Sequence, residues 1–594
     1  MDRQKEIQKN TRQRNYRRII INVFSIFLFA SLFFIFDFQA ALAATYYACN
    51  NANTCGSGWV TGNDASSCNS KSTACNTIRA GILKMLGGDE LVIGNGTYAG
   101  TSNSIYNMPS GSAGKYTTIR AENDWGVTIT DPTNYPAYIR NVSYVELRGV
   151  HFRNYPGVKV FVQNADHIKI IRSSSDDNGG NAAGFLASNS NYVLFEENYK
   201  YGNSRYAFQV NAGGGSSSYI IFRRNVCRWD YSNTIEPLAC FANYDQDYVY
   251  FQNNIAIDAK DYMGIDTVYD GMKGFFTPNG AEQTYYDGNI ALNLEGAGWW
   301  MEDAPVANVF LNNNVAWDMK DLGQSLYEGY PAHLFRSRGG TGPLTMNHNT
   351  FGVSDLGLGI RMQASNDSLT NSIIYGVGLN AGNYAIYESV DSENYNAFYN
   401  NTGNRNKSTA LGPNSITNIN PLINSLKYLP RVETSSDLSG RASDGGNIGA
   451  TIMKKIGVSG TLYGDSGWDA VTADNLWPFP NEDVIKTEMK SFSKTSGAAY
   501  AGSPAMSGNR GFAADGNGLY GGPITLTSYI WEYLGNPCPA DICNYGTQTF
   551  HLADTNQNNR IEMAELIVFI GRWKSGQTTL TDVMEALGRW MSGI

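Results

Sequence analysis

The sequence predicts an all-β protein whose central part is a parallel β-helix, and three observations lead to this prediction. Short β-rich segments recur along the chain, most of them end on an Asn, and Gly is abundant while charged residues make up only 16% of the chain. Gly and Asn supply the positive-φ conformations that tight turns require. With 594 residues and 42% hydrophobic content, the chain is expected to form one large β domain with smaller additions.

The repeated segments are YVLFEEN, YIIFRRN, YVYFQNN, TYYDGN, VFLNNN and LTMNHN. A coil of three short strands provides the crossover that neighbouring parallel strands need, and it winds the chain around a core. The Asn that ends each segment would then stack at the strand spacing of about 4.8 Å and hydrogen-bond from coil to coil. We therefore interpret these residues as a structural Asn ladder, with spacings of 27, 29, 35, 25 and 35 residues: Asn198, Asn225, Asn254, Asn289, Asn314 and Asn349.

Residues 1–44 have the features of an export signal. A basic segment ends at Arg18, an apolar stretch covers residues 19–38, and the small residues AALAAT follow. If it is not cleaved, the apolar stretch is long enough to anchor the protein in a membrane. In both cases the rest of the chain is expected outside the cytoplasm, secreted or at the cell surface.

The charge of the chain argues against nucleic acid as a partner. The whole sequence carries a formal charge of −9, and residues 1–43 contain seven Lys or Arg and three Asp or Glu, so the exported part is near −13. Binding of phosphate backbones needs clustered cations, which such an acidic chain does not favour.

Eight cysteines, an even number, are typical of an oxidising compartment. We expect disulfides and leave the pairing among the first four residues open: Cys49, Cys55, Cys68, Cys75, Cys227, Cys240, Cys538 and Cys543. Zinc is the alternative, but the spacings at the start of the exported chain lack the short C-x2-C pairs of structural zinc sites.

Residues 45–450 resemble the right-handed parallel β-helix superfamily that includes pectate lyases and related polysaccharide lyases, hydrolases and epimerases. The resemblance depends on the Asn ladder, on GDELVIGNGTYAG at 88–100 and on DGGNIGA at 444–450. It implies a β-helix over 45–450 with a disulfide-containing N-terminal cap. Residues 451–545, rich in Gly, Trp and Pro, are expected to form an extension that packs on the β-helix, and 546–594 to form a separate helical module.

The resemblance also implies a groove on the outer face of one strand stack, formed here by the strands that precede the Asn-ending segments. If Trp299, Met301, Phe335, Ile360 and Met362 point inward, strand alternation places another set outward on successive coils. That outward set contains the candidate substrate-binding residue Trp300 and four candidate catalytic residues, Glu302, Arg336, Arg338 and Arg361.

Three interpretations fit this outward set, two of them catalytic. Arg can pair with a substrate carboxylate and favour abstraction of the adjacent proton, or itself act as base, which suits a lyase on uronate polymers. Glu302 with Asp303 could instead form the paired carboxylates of a hydrolase. The third interpretation is an exposed ladder of Glu and Arg without catalysis. His333 and His348 lie nearby in sequence, and we expect His333, next to Phe335, to be a core residue.

The segment DTNQNNRIEMAE at 554–565 resembles an EF-hand calcium loop. Position 6 is Asn559 where the loop usually has Gly, and Asn tolerates the left-handed conformation needed there. The predicted Ca²⁺ ligands occupy positions 1, 3, 5, 7, 9 and 12, with a backbone carbonyl at position 7: Asp554, Asn556, Asn558, Arg560, Glu562 and Glu565. The alternative is a helix start that is acidic and Asn-rich without binding metal.

Two GRWxSG endings follow the loop, seventeen residues apart, and the tail is similar to a dockerin with one loop in place of two. A cell-surface or cohesin-like partner is therefore considered for the tail. The sequence as a whole favours a carbohydrate-active protein that acts on or binds extracellular polysaccharide, and the specific activity considered is that of a lyase on uronate-containing polymers. The rival hypothesis is a non-catalytic adhesin or envelope protein with a β-helix stalk.

Overall fold

The computed structural model describes residues 43–178, 181–230, 238–259, 272–278, 280–302, 307–320, 333–337, 342–354, 357–363, 366–379, 382–387, 390–406, 410–422, 428–494, 506–543, 552–555, 561 and 563–592. Thr45–Ile594 is the larger of two units into which the chain divides. The predicted export signal lies almost wholly outside the described residues. In the described part of the chain, no helix is long and apolar enough to cross a membrane.

The larger unit is a right-handed parallel β-helix, as the sequence predicts. Its coils stack into three parallel sheets, which we call A, B and C. Sheet A has 13 strands: Thr45–Ala48, Glu90–Ile93, Thr117–Ala121, Ser143–Arg148, Asp166–Ile171, Asn191–Glu196, Ser218–Arg223, Asp247–Gln252, Glu282–Asp287, Ala307–Asn312, Leu344–Asn347, Ser368–Thr370 and Ser392–Asn394.

Sheets B and C meet in the long strand Ile290–Glu302, whose first half pairs in sheet B and whose second half pairs in sheet C. The other strands of sheet B are Gly96–Ala99, Val127–Thr130, Val150–Arg153, Ser174–Ser175, Tyr199–Lys200, Val226–Arg228, Ile255–Ile257, Val315–Lys320, Thr350–Ser354, Ile373–Val377 and Ala397–Tyr399. Those of sheet C are Ile105–Tyr106, Ala137–Arg140, Val160–Gln163, Ala183–Ser188, Tyr206–Asn211, Leu238–Tyr244, Met272–Pro278, His333–Ser337, Leu358–Arg361, Tyr384–Tyr387 and Gly403–Arg405.

The core is built from identical positions of successive coils. On the inner face of sheet C, four aromatic contacts stack one ring on the next at centroid distances of 4.8, 5.0, 5.0 and 4.6 Å: Phe185, Phe208, Phe241, Phe275 and Trp299. In-register parallel pairing brings each ring over its equivalent, and offset stacking adds to the gain from burial. The continuous inner stack fixes the register, and with it the side chains that face outward.

The Asn ladder lies at the turn between sheets A and B. Asn254 is buried; its Oδ1 accepts hydrogen bonds from the backbone and side-chain amides of Asn225, both at 3.0 Å, and its Nδ2 donates to Phe222 O at 2.8 Å and to Asn289 Oδ1 at 3.0 Å. The same bonds run from Asn198 to Asn349. Ser372 then takes the ladder position, and Asn396 resumes it.

The expected disulfides are confirmed. The pairs are Cys49–Cys55, Cys68–Cys75, Cys227–Cys240 and Cys538–Cys543.

The extension contacts the outer face of sheet B through a second apolar cluster that includes Trp477 and Trp531. Arg228, buried on sheet B, donates to Gly508 O at 2.9 Å and to Met489 O at 2.6 Å. The short antiparallel pairs are Lys454–Ile456 with Val471–Asn475 and Ser493–Lys494 with Met506–Ser507. The α-helices are Ala52–Cys55, Ile78–Ile82, Glu482–Lys490, Leu526–Trp531, Met563–Lys574 and Leu580–Ser592.

Candidate functional site

A column of large polar and aromatic side chains occupies the outer face of sheet C. Parallel register places Phe276, Trp300, Arg336 and Arg361 beside one another on four successive coils. Their inward-facing neighbours Trp299, Met301, Phe335, Ile360 and Met362 all belong to the central core. Alternation along each strand therefore directs this set to the opposite face, and the column follows from the packing of the core.

Cations contact the aromatic rings of this column. The guanidinium carbon of Arg336 lies 4.1 Å from the Trp300 ring centroid, and Lys273 Nζ lies 5.0 Å from the same ring and 5.7 Å from Phe276. Lys273, Trp300 and Arg336 are buried. A cation over an indole face is worth up to about 2 kcal/mol when it is shielded from water, so the rings stabilise positive charge here.

His333 lies on a second outward column, in register with Ala297 and Leu358 on the neighbouring coils. Its ring is 5.6 Å from that of Trp300 in an edge-to-face arrangement. Burial, together with the charges of Arg336 and Arg361, lowers the pKa of His333 well below its usual value. The imidazole is therefore neutral at pH 7, and the same burial and charges make it a weaker base than an ordinary histidine until an anion offsets them.

The other predicted residues either retain some exposure to solvent or lie outside the described part of the chain. Arg361 is 8% exposed, with its guanidinium 5.8 Å from the Tyr387 ring, and Glu302 is half-buried at the end of its strand. Arg338 and Asp303 lie outside the described residues. The interpretation of these residues as an exposed ladder of Glu and Arg is wrong for Arg336, because its side chain is wholly buried.

Lys273 also belongs to this candidate site, although it was not predicted from the sequence. It stands in the apolar segment MKGFFTP and is fully buried. Its place in an otherwise apolar strand could have indicated the site, because burying an ammonium group is costly unless its surroundings stabilise the charge.

The arrangement joins three buried or nearly buried cations, a neutral imidazole and an aromatic surface. Such a set can bind a carboxylate, withdraw electron density through it and accept a proton nearby.

The predicted calcium loop is described only at its two ends. Asp554 and Glu565 are 5% and 8% exposed, and Glu565 Oε1 accepts from Thr555 N at 2.9 Å and Thr555 Oγ1 at 2.8 Å. Asn556, Asn558, Arg560 and Glu562 lie outside the described residues. Among the residues that are described, no group of three or more His, Cys, Asp or Glu is placed to hold a metal. Two buried carboxylates at the ends of one loop nevertheless fit the donor chemistry of Ca²⁺.

No protein-family model matches the chain, and no curated protein sequence matches it. Three similar solved structures are the PL6 family alginate lyase AlyGC (13% identity, TM-score 0.35, covering 57% of this chain and 51% of that one), pectate lyase Pel9A (14%, 0.34, 72% and 96%) and the GH136 lacto-N-biosidase from Eubacterium ramulus (11%, 0.34, 63% and 68%). The chain thus spans about half the length of AlyGC. The likeness concerns the parallel β-helix fold.

Proposed function

We propose that this protein acts on an extracellular polysaccharide that contains uronic acids, as a lyase, at the outer face of sheet C. The observation that carries the proposal is the stacking of Arg336 and Arg361 on adjacent coils beside the neutral His333. Adjacent parallel strands are about 4.8 Å apart, so a sugar carboxylate bound at Arg361 would lie near the buried charge of Arg336.

Each group has a defined role in the proposed reaction. Arg361, the most exposed of the cations in the column, binds the uronate carboxylate, and Arg336 adds a second positive charge. Neutralising the carboxylate makes the hydrogen on the adjacent ring carbon more acidic, and His333 accepts that proton. The electron pair of the broken C–H bond forms the ring double bond as the glycosidic C–O bond breaks. The departing oxygen then takes the proton that His333 had accepted, which returns His333 to its neutral form.

Cellular location and partners belong to the same proposal. Four disulfides suggest an extracytoplasmic protein. Residues 1–44 would direct export or anchor the chain, and the helical tail would bind Ca²⁺ through Asp554 and Glu565. The same tail would attach the protein to a cell-surface or cohesin-like partner.

Calorimetric titration with tetragalacturonate and tetramannuronate tests the binding part. We expect one of them to bind the wild-type protein and Arg361→Ala to weaken that binding at least tenfold. Arg120→Ala is the matched control, because Arg120 is a half-buried Arg on sheet A whose Nε contacts Glu90 at 2.6 Å. Equal affinity of the wild-type protein and Arg361→Ala would contradict the assignment.

A further inference from the structure

A second groove lies on the outer face of sheet A, which the proposed lyase site does not use. We call it the sheet A groove; it has a volume of about 530 Å³. Protein sites for small ligands commonly have about 300 to 1,000 Å³. Its floor and wall are formed by Tyr250, Tyr285, Asp287, Asn312, Trp468 and Asp469, among others.

An aromatic column runs along sheet A, and its members Tyr250 and Tyr285 line the groove. Tyr250, Tyr285 and Phe310 stack on successive coils, with centroid distances of 4.7 and 4.9 Å. Trp468 meets Tyr250 edge to face at 4.7 Å and is half-buried. The indole therefore combines a fixed position with a surface that remains accessible to a ligand.

A polar column runs beside it. Gln252, Asp287 and Asn312 are register partners on successive coils, and Asn312 Nδ2 donates to Asp287 Oδ1 at 3.1 Å. Burial raises the pKa of Asp287 to about 6; the Asn312 hydrogen bond opposes this rise, and the charge of Asp469 adds to it. Among the described residues, no hydrogen bond reaches Asp287 Oδ2, so that oxygen can accept from a ligand.

The wall of the groove is held in place by the β-helix. Asn253 Oδ1 accepts from Ile456 N at 2.7 Å, and Asn313 Oδ1 accepts from Thr451 N at 3.2 Å. These bonds fix the hairpin strands Lys454–Ile456 and Val471–Asn475 against sheet A. A preformed groove loses less entropy when a ligand binds than one that must first become ordered.

We propose that the sheet A groove binds a neutral oligosaccharide segment. Sugar rings present apolar C–H faces that pack on aromatic side chains, and hydroxyls that donate to carboxylate and amide oxygens. The Trp468 indole and the polar column of Gln252, Asp287 and Asn312 line the same groove. The charged residues that line the groove are Asp287, Asp469 and Lys454, so its lining has an excess of negative charge, which disfavours the acidic sugar proposed for sheet C.

The test is calorimetric titration of the exported protein with cellohexaose, mannohexaose, xylohexaose and laminarihexaose, and with tetragalacturonate as the acidic counterpart. At least one neutral hexasaccharide should bind, with an affinity that falls at least tenfold in Trp468→Ala and measurably in Asp287→Asn. Asp287→Asn keeps the volume of the side chain, so a loss of affinity in this variant would not result from misfolding of the hairpin. Tyr46→Phe, outside the groove, is the control.

Three results would overturn the proposal: no binding of any neutral hexasaccharide, binding that both groove variants leave within twofold of wild type, or binding of tetragalacturonate that is tighter than that of the neutral sugars and is weakened by Trp468→Ala. Failure here is separate from failure of the lyase site, because the sheet C variants Arg336→Ala and Arg361→Ala are assayed on uronate polymers.

Discussion

The guanidinium of Arg336 lies 4.1 Å from the centroid of the Trp300 ring, and the two residues are register partners on adjacent coils of sheet C. Both side chains are buried. The aromatic face thus holds in place a cation to which we assign the activation of a substrate carboxylate. The contact with Trp300 therefore both positions the Arg336 guanidinium and stabilises its charge.

Arg336→Ala is expected to lower the free energy of unfolding by about 2 to 4 kcal/mol, because it removes a shielded cation–π contact and leaves a cavity beside Trp300. Arg336→Met fills most of that volume without the charge and should cost less. Chemical denaturation of both variants checks the prediction. Equal stability of Arg336→Ala and wild type would show that the contact does not contribute.

Replacing Asn254 by Ala removes the bonds to Asn225, Phe222 and Asn289 and leaves buried partners unsatisfied. We expect a loss of about 1 to 3 kcal/mol in the free energy of unfolding. Asn69→Ala, which removes an exposed side chain that accepts from Ser67 and Thr73, is the control and should change stability by less than about 0.5 kcal/mol. Similar melting temperatures for the two variants would argue against the ladder.

The β-helix and its ladder could be predicted because they depend on local, repeated patterns. Each Asn stands at a constant offset from its own strand, and alternation within that strand separates inward Phe335 from outward Arg336. Asn396 was missed because Ser372 interrupts the series one coil earlier.

Contacts between distant parts of the chain could not be predicted in this way. Arg223 donates to Trp468 O at 2.6 Å and Arg224 to Ile456 O at 2.9 Å, across more than 230 residues. The sheet A groove exists only because these contacts seat the hairpin on the β-helix. Nothing in the local sequence around Asp287 shows that Trp468 lies near it.

Asp287 should make stability depend on pH. Its pKa is about 6 in the folded protein against an ordinary value of 3.8, so the folded state holds the proton more tightly and stability falls as pH rises from about 4 to 6. Asp287→Asn should therefore have a free energy of unfolding about 1 to 2 kcal/mol higher than wild type at pH 7.5. This is less than the full free-energy equivalent of the pKa shift, because the carboxyl is half-buried and partly screened by solvent. The advantage should shrink at pH 4. Thermal melts at both pH values measure it, and an equal difference at both would contradict the prediction.

Calcium should bind the tail of the full-length exported protein with a dissociation constant on the order of 10⁻⁴ M, in the range of extracellular sites. Asp554→Ala and Glu565→Gln should each abolish the heat measured in a calcium titration. Asp582→Asn is the control, since Asp582 accepts from Thr579 N at the start of another helix. Binding that survives in both loop variants would place the calcium elsewhere.

The proposed reaction at sheet C is tested most directly by the ultraviolet absorbance of unsaturated products released from uronate polymers. Polygalacturonate, polymannuronate and polyguluronate are incubated with wild type, Arg336→Ala, Arg361→Ala, His333→Ala and the control Arg120→Ala. We expect one polymer to give a steady rise in absorbance with wild type and Arg120→Ala, and a rate at least a hundredfold lower with each sheet C variant. No product from any polymer, or undiminished rates in Arg361→Ala and His333→Ala, would contradict the account.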